Sequence, residues 1–255
     1  MGVLNLVINT NFTDTTLPLD YPDAVMTPRT LYLYDALDTT SYPPQADIGA
    51  TNWINLMPGL DPAQIGATVG WSNGFTFADA TSGSEQILLP ASSKVEADLP
   101  GFVFTVWIKH TATGSGSCGI AGVADSTGTS QYAIWATTSG GVDTISMLAN
   151  GTGTTVSFTA TPGSIYQLTI ALKKATSSTY TATYYKNGVV ISTQTISATS
   201  IKQPTDGGRI GRLGSSFSLQ WQGTVYRTWM NSLNDSDDIS SLVSSDYSIN
   251  SSRFS

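Results

Sequence analysis

Carboxylates, one imidazole and one thiol are the groups with which this 255-residue chain would do covalent chemistry. Cleaving a glycosidic bond needs two carboxyl groups facing each other across the sugar, roughly 5 to 9 Å apart depending on stereochemistry. The chain holds two glutamates, Glu85 and Glu96, eleven residues apart and on either side of Pro90. No strand-like run carries two acids at i, i+2 spacing, which is what alternation requires to put both on one face. The only histidine, His110, ends an alternating run just before Thr111-Ala-Thr-Gly-Ser-Gly-Ser-Cys118. Cys118 and His110 across that loop form the single conceivable nucleophile–base pair. A small buried thiol opening the next strand, and an exposed histidine closing the previous one, account for both residues without chemistry. The expectation is a chain with no catalytic residues, not an enzyme.

Metal binding finds little more. Asn234-Asp-Ser-Asp-Asp238 is the densest acidic cluster, but it lacks the glycine and distal glutamate of an EF-hand loop. A helix N-cap explains it without an ion. Asp125 and Asp143, in hairpin loops, are weaker candidates, and Asp206-Gly-Gly-Arg reads as a turn. One cysteine and one histidine permit no internal disulfide, no cysteine-based zinc site and no multi-histidine cluster. No metal and no cofactor are expected.

Composition narrows the partners. Charged residues make up 11% of the chain, about half the usual share. Thr (36), Ser (32) and Gly (24) take their place. With 11 Lys and Arg against 18 Asp and Glu, the net charge is −7. So few cations cannot neutralise a run of phosphates, and nucleic acid is excluded as a partner. Anionic membranes are excluded by the same reasoning. No apolar run approaches the roughly 20 residues of a spanning helix. The opening residues lack a basic n-region and a sufficient apolar stretch for a signal peptide, so the sequons at Asn11, Asn150, Asn234 and Asn250 are expected to go unglycosylated.

These side chains are carried mostly by strands. From residue 101 onward, period-two alternation dominates. In Phe102–His110, Phe102, Phe104, Val106 and Ile108 share one face, while Val103, Thr105, Trp107 and Lys109 share the other. Both faces are apolar enough for a central strand covered on two sides. Tyr132–Ala136, Asp143–Leu148, Thr154–Thr159, Ile165–Leu172, Tyr180–Tyr185, Arg209–Arg212 and Trp221–Trp229 read as further strands. Asn187-Gly188 between two β-rich runs predicts a type I′ hairpin turn, and Asn150-Gly151 breaks two others. One helix is expected, over Ser236–Val243, with Ser236 or Asn234 as N-cap and aspartates in its first turn. Residues 1–28, with Pro18, Pro22 and Pro28 and no apolar period, read as an extended arm. Residues 29–255 form one domain, since no repeat and no second core is evident.

Six short segments, in order, resemble the concanavalin A-like lectin/glucanase superfamily in its laminin-G-like form. Leu31-Tyr-Leu-Tyr-Asp-Ala-Leu-Asp-Thr-Thr-Ser-Tyr42, followed by Gly49-Ala-Thr-Asn-Trp-Ile-Asn-Leu-Met-Pro-Gly59, is similar to an opening seen in bacteriophage members, with Asn55 where aspartate is usual. Gly70–Asp79 with Ile87-Leu-Leu-Pro90, Phe104-Thr-Val-Trp-Ile-Lys109, Tyr184-Tyr-Lys-Asn-Gly-Val189, Ile210-Gly-Arg212 and Trp221–Leu233 with Ile239–Leu242 resemble the strands and short helix that follow. The stretch from Gly223 to Leu233 is shorter than the family spacing. The resemblance implies an all-β fold, a two-sheet antiparallel jelly-roll sandwich. The family's glucanase branch places its acids as Glu-x-Asp-x-(x)-Glu on one strand, a pattern this chain does not have.

Two functions from different classes are implied. In the first, the chain is a bacteriophage virion structural protein, a capsid- or tail-associated decoration or fibre component assembled in the host cytoplasm. It would contact other virion proteins through the arm and form a homo-oligomer, by analogy a trimer. In the second, it is a carbohydrate-binding lectin module. Sugars are held by an exposed aromatic face with nearby hydrogen-bonding groups. Trp71, Trp135, Trp221, Tyr132 and Tyr185 are eligible; Trp135, Trp221 and Tyr132 are taken as the candidate glycan contacts. Trp53 and Trp107 occupy positions that match the family framework.

Overall fold

The computed structural model describes residues 23–46, 52–78, 85–113, 116–151, 155–214 and 219–254. The described strands are β1 (Thr30–Asp35), β2 (Asn52–Trp53), β3 (Ala63–Ile65), β4 (Gly70–Trp71), β5 (Phe75–Phe77), β6 (Ile87–Leu88), β7 (Gly101–Thr113) and β8 (Gly116–Ala124). They continue with β9 (Ser130–Ser139), β10 (Val142–Ala149), β11 (Val156–Thr159), β12 (Ile165–Thr176), β13 (Thr179–Lys186), β14 (Val189–Ser197), β15 (Gly208–Ile210) and β16 (Leu219–Ser232), followed by helix α1 (Ile239–Asn250).

These strands form two stacked sheets. In the first, β14, β13, β12, β7 and β16 are neighbours in that order, and β1 and β5 both pair with the far side of β16. In the second, β11, β10, β9, β8, β15, β6, β3 and β2 follow one another. The pairing is antiparallel except where Leu219 and Gln220 of β16 run parallel to β8, tying one sheet to the other. This is the all-β jelly-roll sandwich that the alternation and the motif order imply.

Alternation decides what lies between the sheets. Phe102, Phe104, Val106 and Ile108 of β7 meet Tyr132, Ile134 and Ala136 of β9 and Ile145 and Met147 of β10 in the central core. The other face of β7 is covered as well. Val103 packs with Val25, Leu33, Trp229 and Val243 of α1, and Trp107 packs with Tyr226 and Phe254. The double burial expected of this strand follows from α1, Val25–Met26 and Phe254 lying across the first sheet.

Of the arm expected over residues 1–28, residues 23–28 are described and are seated on this helix-covered face. Val25 is wholly buried, and its carbonyl accepts from the side-chain amide of Asn231 at 3.0 Å. Residues 1–22 lie outside the described residues.

Helix α1 corrects the sequence reading. It runs over Ile239–Asn250 rather than Ser236–Val243, and Asp238 caps it by accepting from the Ser241 N–H at 3.0 Å. Asn234 is spent earlier, on a turn in which its Oδ1 accepts from the Ser236 N–H at 3.1 Å. A side chain that closes its own local turn is not available to the helix that follows.

The Asn187-Gly188 turn forms as expected, with φ of 53° and 76° at its two positions. Gly188 also lies under α1, where an added Cβ would come within 3.0 Å of the Tyr247 Cβ. Gly188→Ala is therefore expected to cost about 1–2 kcal/mol from the left-handed backbone alone, read as a lower midpoint in denaturant unfolding. An unchanged midpoint would show that the hairpin relaxes freely away from the helix.

Candidate functional site

Of the three proposed glycan contacts, Trp135 alone is not fully buried. On β9, Tyr132, Ile134 and Ala136 point into the central core, so Trp135 lies on the opposite, outer face of the second sheet, where it is half-buried. Its cross-strand partners are Gly119 on β8 and Ser146 on β10, and Ser157 follows on β11. The next row across the same face reads Ser117, Thr137, Thr144, Thr159. Strands lie about 4.8 Å apart, and same-face residues recur about every 6.8 Å along them. The indole therefore sits in a lattice of hydroxyl-bearing side chains. Two of these contacts are closed among themselves, Ser117 to Thr137 at 3.1 Å and Ser146 to Ser157 at 2.8 Å. Thr144 is partly exposed, and Ser157 and Thr159 are open to solvent.

One edge of this face is shaped by a close backbone approach. A Cβ on Gly119 would fall 2.3 Å from the backbone nitrogen of Leu213, so only glycine lets the 211–214 turn lie on β8 beside Trp135. The turn brings Arg212, partly exposed, to that side of the tryptophan.

Tyr132 and Trp221 are placed differently from the expectation. Tyr132 is fully buried, stacked on Phe104 with ring centroids 4.3 Å apart, and its hydroxyl donates to the Ser93 carbonyl at 3.1 Å. Burial raises its phenol pKa well above the ordinary value. Trp221 is likewise fully buried, packed against Phe77 at 5.9 Å. Neither ring presents a face to a ligand, because parity on β9 and the crossing of β16 between the sheets put both inside. Tyr185 lies beneath α1, and Trp71 packs on Tyr42 and Phe75.

His110 is not the exposed strand-end residue that its position in the sequence suggested. It is wholly buried. The Trp221 indole N–H donates to its Nδ1 at 3.1 Å, which leaves the proton on Nε2 for Asp143 Oδ2 at 2.8 Å. Thr138 donates to the other Asp143 oxygen. Both ring nitrogens are committed to this chain of contacts, which pins β7, β10 and β16 together. Cys118 is buried. Of the two glutamates, Glu85 is buried and accepts from the Ala78 N–H at 2.7 Å, while Glu96 is exposed.

Asp237, Asp238 and Asp125 all contact protein groups. Asp237 pairs with Arg29, and Asp238 caps α1. Asp125 Oδ1 accepts from the Thr127 hydroxyl at 2.6 Å and from the backbone N–H groups of Thr127 (2.9 Å) and Thr129 (3.1 Å). Its Oδ2 accepts from the Thr205 N–H at 3.0 Å. The Thr127 hydroxyl, then the backbone donors, lower the carboxyl pKa to about 2. A depressed carboxylate stabilises the fold above its unfolded pKa and loses that contribution as pH falls through its folded one. The amide resonances of Thr127, Thr129 and Thr205 are thus expected to titrate near pH 2; a midpoint near 4 would show that the loop does not hold the carboxylate.

The largest polar cluster escaped sequence reading altogether. Arg227, fully buried, donates from Nε to Asp246, from Nη1 to Asp35 and from Nη2 to Asp23, at 3.1, 3.1 and 2.7 Å. Asp246 also accepts from the Trp107 indole and from Gln167, each at 2.8 Å. The members are spread from residue 23 to residue 246, so no local spacing could reveal them.

No family model and no curated protein matches the chain. Solved structures do. A Trypanosoma rangeli sialidase in complex with 2,3-difluorosialic acid aligns with a TM-score of 0.59 at 12% identity, over 88% of this chain and 33% of that one. The botulinum neurotoxin serotype G binding domain aligns with a TM-score of 0.55 at 11% identity, over 88% of this chain and 51% of that one. The chain thus spans about a third of the sialidase and half of the binding domain. At these identities the likeness is one of fold: an all-β sandwich of the jelly-roll kind. Activity does not travel with it.

Proposed function

We propose that this chain is a carbohydrate-binding module of lectin type, with the outer face of β8–β11 as its binding surface and Trp135 as its platform. The observation that carries this reading is a partly buried indole on the outer face of the second sheet, with the serines and threonines of β10 and β11 beside it. A pyranose stacks its C–H face on the ring and exchanges hydrogen bonds with the hydroxyls around it. The fold-level neighbours support the same class, since one was solved with a sialic acid derivative and another is a binding domain. The test is a glycan array probed with the full chain and with Trp135→Ala. Binding that falls at least tenfold in the variant, with an unchanged unfolding midpoint, supports the proposal. Binding untouched by the substitution, or no glycan bound by either protein, overturns it.

A virion role is the second reading, supported by the opening Leu31–Tyr42 and Thr51–Gly59 motifs. Because Asp23 and Val25 are built into the sandwich, the informative truncation removes residues 1–22 and stops there. Loss of incorporation into particles supports anchoring through this segment; unchanged incorporation removes it.

A further inference from the structure

On the far side of the sandwich from Trp135, a cavity of about 360 Å³ opens over the outer face of the first sheet. It is lined by Leu37, Ser72, Asn73, Lys109, Tyr226, Arg253 and Phe254. In a chain with only 11 basic residues, two of them meet here. We propose that this cavity binds a single sugar residue carrying an acidic group, a carboxylate or a sulfate. The proposal does not depend on the Trp135 surface.

The argument rests on which polar groups are committed and which are not. Arg253 is anchored through Nη1, which donates to Asp35 Oδ2 at 2.8 Å and to the side-chain carbonyl of Asn250. Its Nε and Nη2 make no hydrogen bond with any described residue, although 37% of the side chain is exposed. A guanidinium fixed at one nitrogen, with its remaining edge open, is a preorganised fork for a planar or tetrahedral oxyanion. Lys109 leaves β7 on the same face as Trp107 and forms no ion pair with a described residue. It supplies a second cation where Asp35 already neutralises part of Arg253.

The rest of the lining suits the sugar ring. The Tyr226 hydroxyl and the Asn73 side-chain amide, from two residues that line the cavity, have no hydrogen-bond partner among the described residues. Tyr226 stacks on Phe254 with centroids 5.1 Å apart at 12°, and Phe254 packs edge-on to Trp107 at 5.0 Å, which fixes the wall. The hairpin bearing Ser72 and Asn73 is seated against the same ring, since a Cβ on Gly74 would come within 2.8 Å of Tyr226. The volume lies near the lower end of the range for small-ligand sites, about the size of one monosaccharide.

The test is a titration of the full, isotope-labelled chain with sodium glucuronate, glucose 6-sulfate, sodium sulfate and glucose, followed through its amide resonances. The expected result is saturable movement of Ser72, Asn73, Lys109, Tyr226 and Phe254 with one or both sugar acids. The tighter of the two identifies the acidic group. Lys109→Met is expected to weaken binding at least tenfold with an unchanged thermal midpoint, and Trp135→Ala to leave it unaltered. Equal binding of glucose would overturn the requirement for charge, and sulfate binding as tightly as the sugar acids would overturn the saccharide. Resonance changes elsewhere, or none at tens of millimolar, would remove the site. A silent glycan array beside a positive titration would overturn the Trp135 surface and leave this one standing.

Discussion

Replacing Arg227 by methionine is expected to destabilise the fold by about 3–5 kcal/mol, the usual cost of removing one partner from a buried ionic cluster. Burial alone would oppose the charge on Arg227, but Asp246, Asp23 and Asp35 outweigh it and hold the guanidinium protonated well above its ordinary pKa. Without it, Asp246, with no exposed side-chain surface, and Asp35, with 2%, stay buried without the cation that compensates their charge. Asp23, 23% exposed, regains water at less cost. The three acids come from three separate pieces of chain: the segment entering the sandwich, the end of β1 and the middle of α1. The loss should therefore be felt first where those pieces meet, as faster amide exchange across Ile239–Asn250 and Val25–Met26. At roughly 2–4 °C per kcal/mol for a domain near this size, the thermal midpoint should drop by on the order of 10 °C. Arg227→Lys should recover only part of this, because one ammonium cannot reach three carboxylates in three directions. A shift below about 1 kcal/mol would mean that the cluster is not what fastens the helix.

The same cluster explains where sequence reading stopped. The strands were legible because their apolar residues alternate, and the Asn187-Gly188 turn because few dipeptides suit two successive left-handed positions. Helix α1 starts later and runs longer than its apolar residues suggest because its inner face is polar. Val243, Asp246, Tyr247 and Asn250 recur at helical spacing, but two of the four bury hydrogen-bonding groups, so an apolar period ends at Val243. Asp246 and Asn250 are satisfied by Arg227, Trp107, Gln167 and Arg253, all of which arrive from elsewhere in the chain. A second limit is parity on β16. On an unbroken strand Trp221 and Trp229, eight residues apart, would share a face. A bulge between Val225 and Arg227 inserts one extra residue, so Trp221 faces the central core and Trp229 faces α1. The Gly223–Leu233 segment, already short against the family spacing, contains this irregularity. The candidate site was legible only in part. Tyr132 and Trp135 are three apart on one strand and so must face opposite ways, but which side is open depends on the other sheet.

Trp221→Ala and Trp135→Ala should therefore separate stability from binding. Trp221 has no exposed surface, and truncating a buried tryptophan costs about 3–5 kcal/mol. Its loss also removes the donor to His110 Nδ1 and leaves a buried acceptor unpaired, about 1–3 kcal/mol more. Trp221→Phe keeps most of the ring and drops only the N–H, so it should show the second cost almost alone. Because His110 passes the contact on to Asp143, the strain should extend to β10 and β9, read as faster exchange around Asp143 and Thr138. Trp135, half-buried on an outer face, should by contrast change stability by no more than about 1 kcal/mol when truncated, while glycan affinity falls at least tenfold. Denaturant unfolding and array binding measured on the same two variants decide the matter. If Trp221→Ala abolished binding with its unfolding midpoint intact, the binding surface would lie at the β16 crossover, and the outer face of β8–β11 would be ordinary solvated sheet.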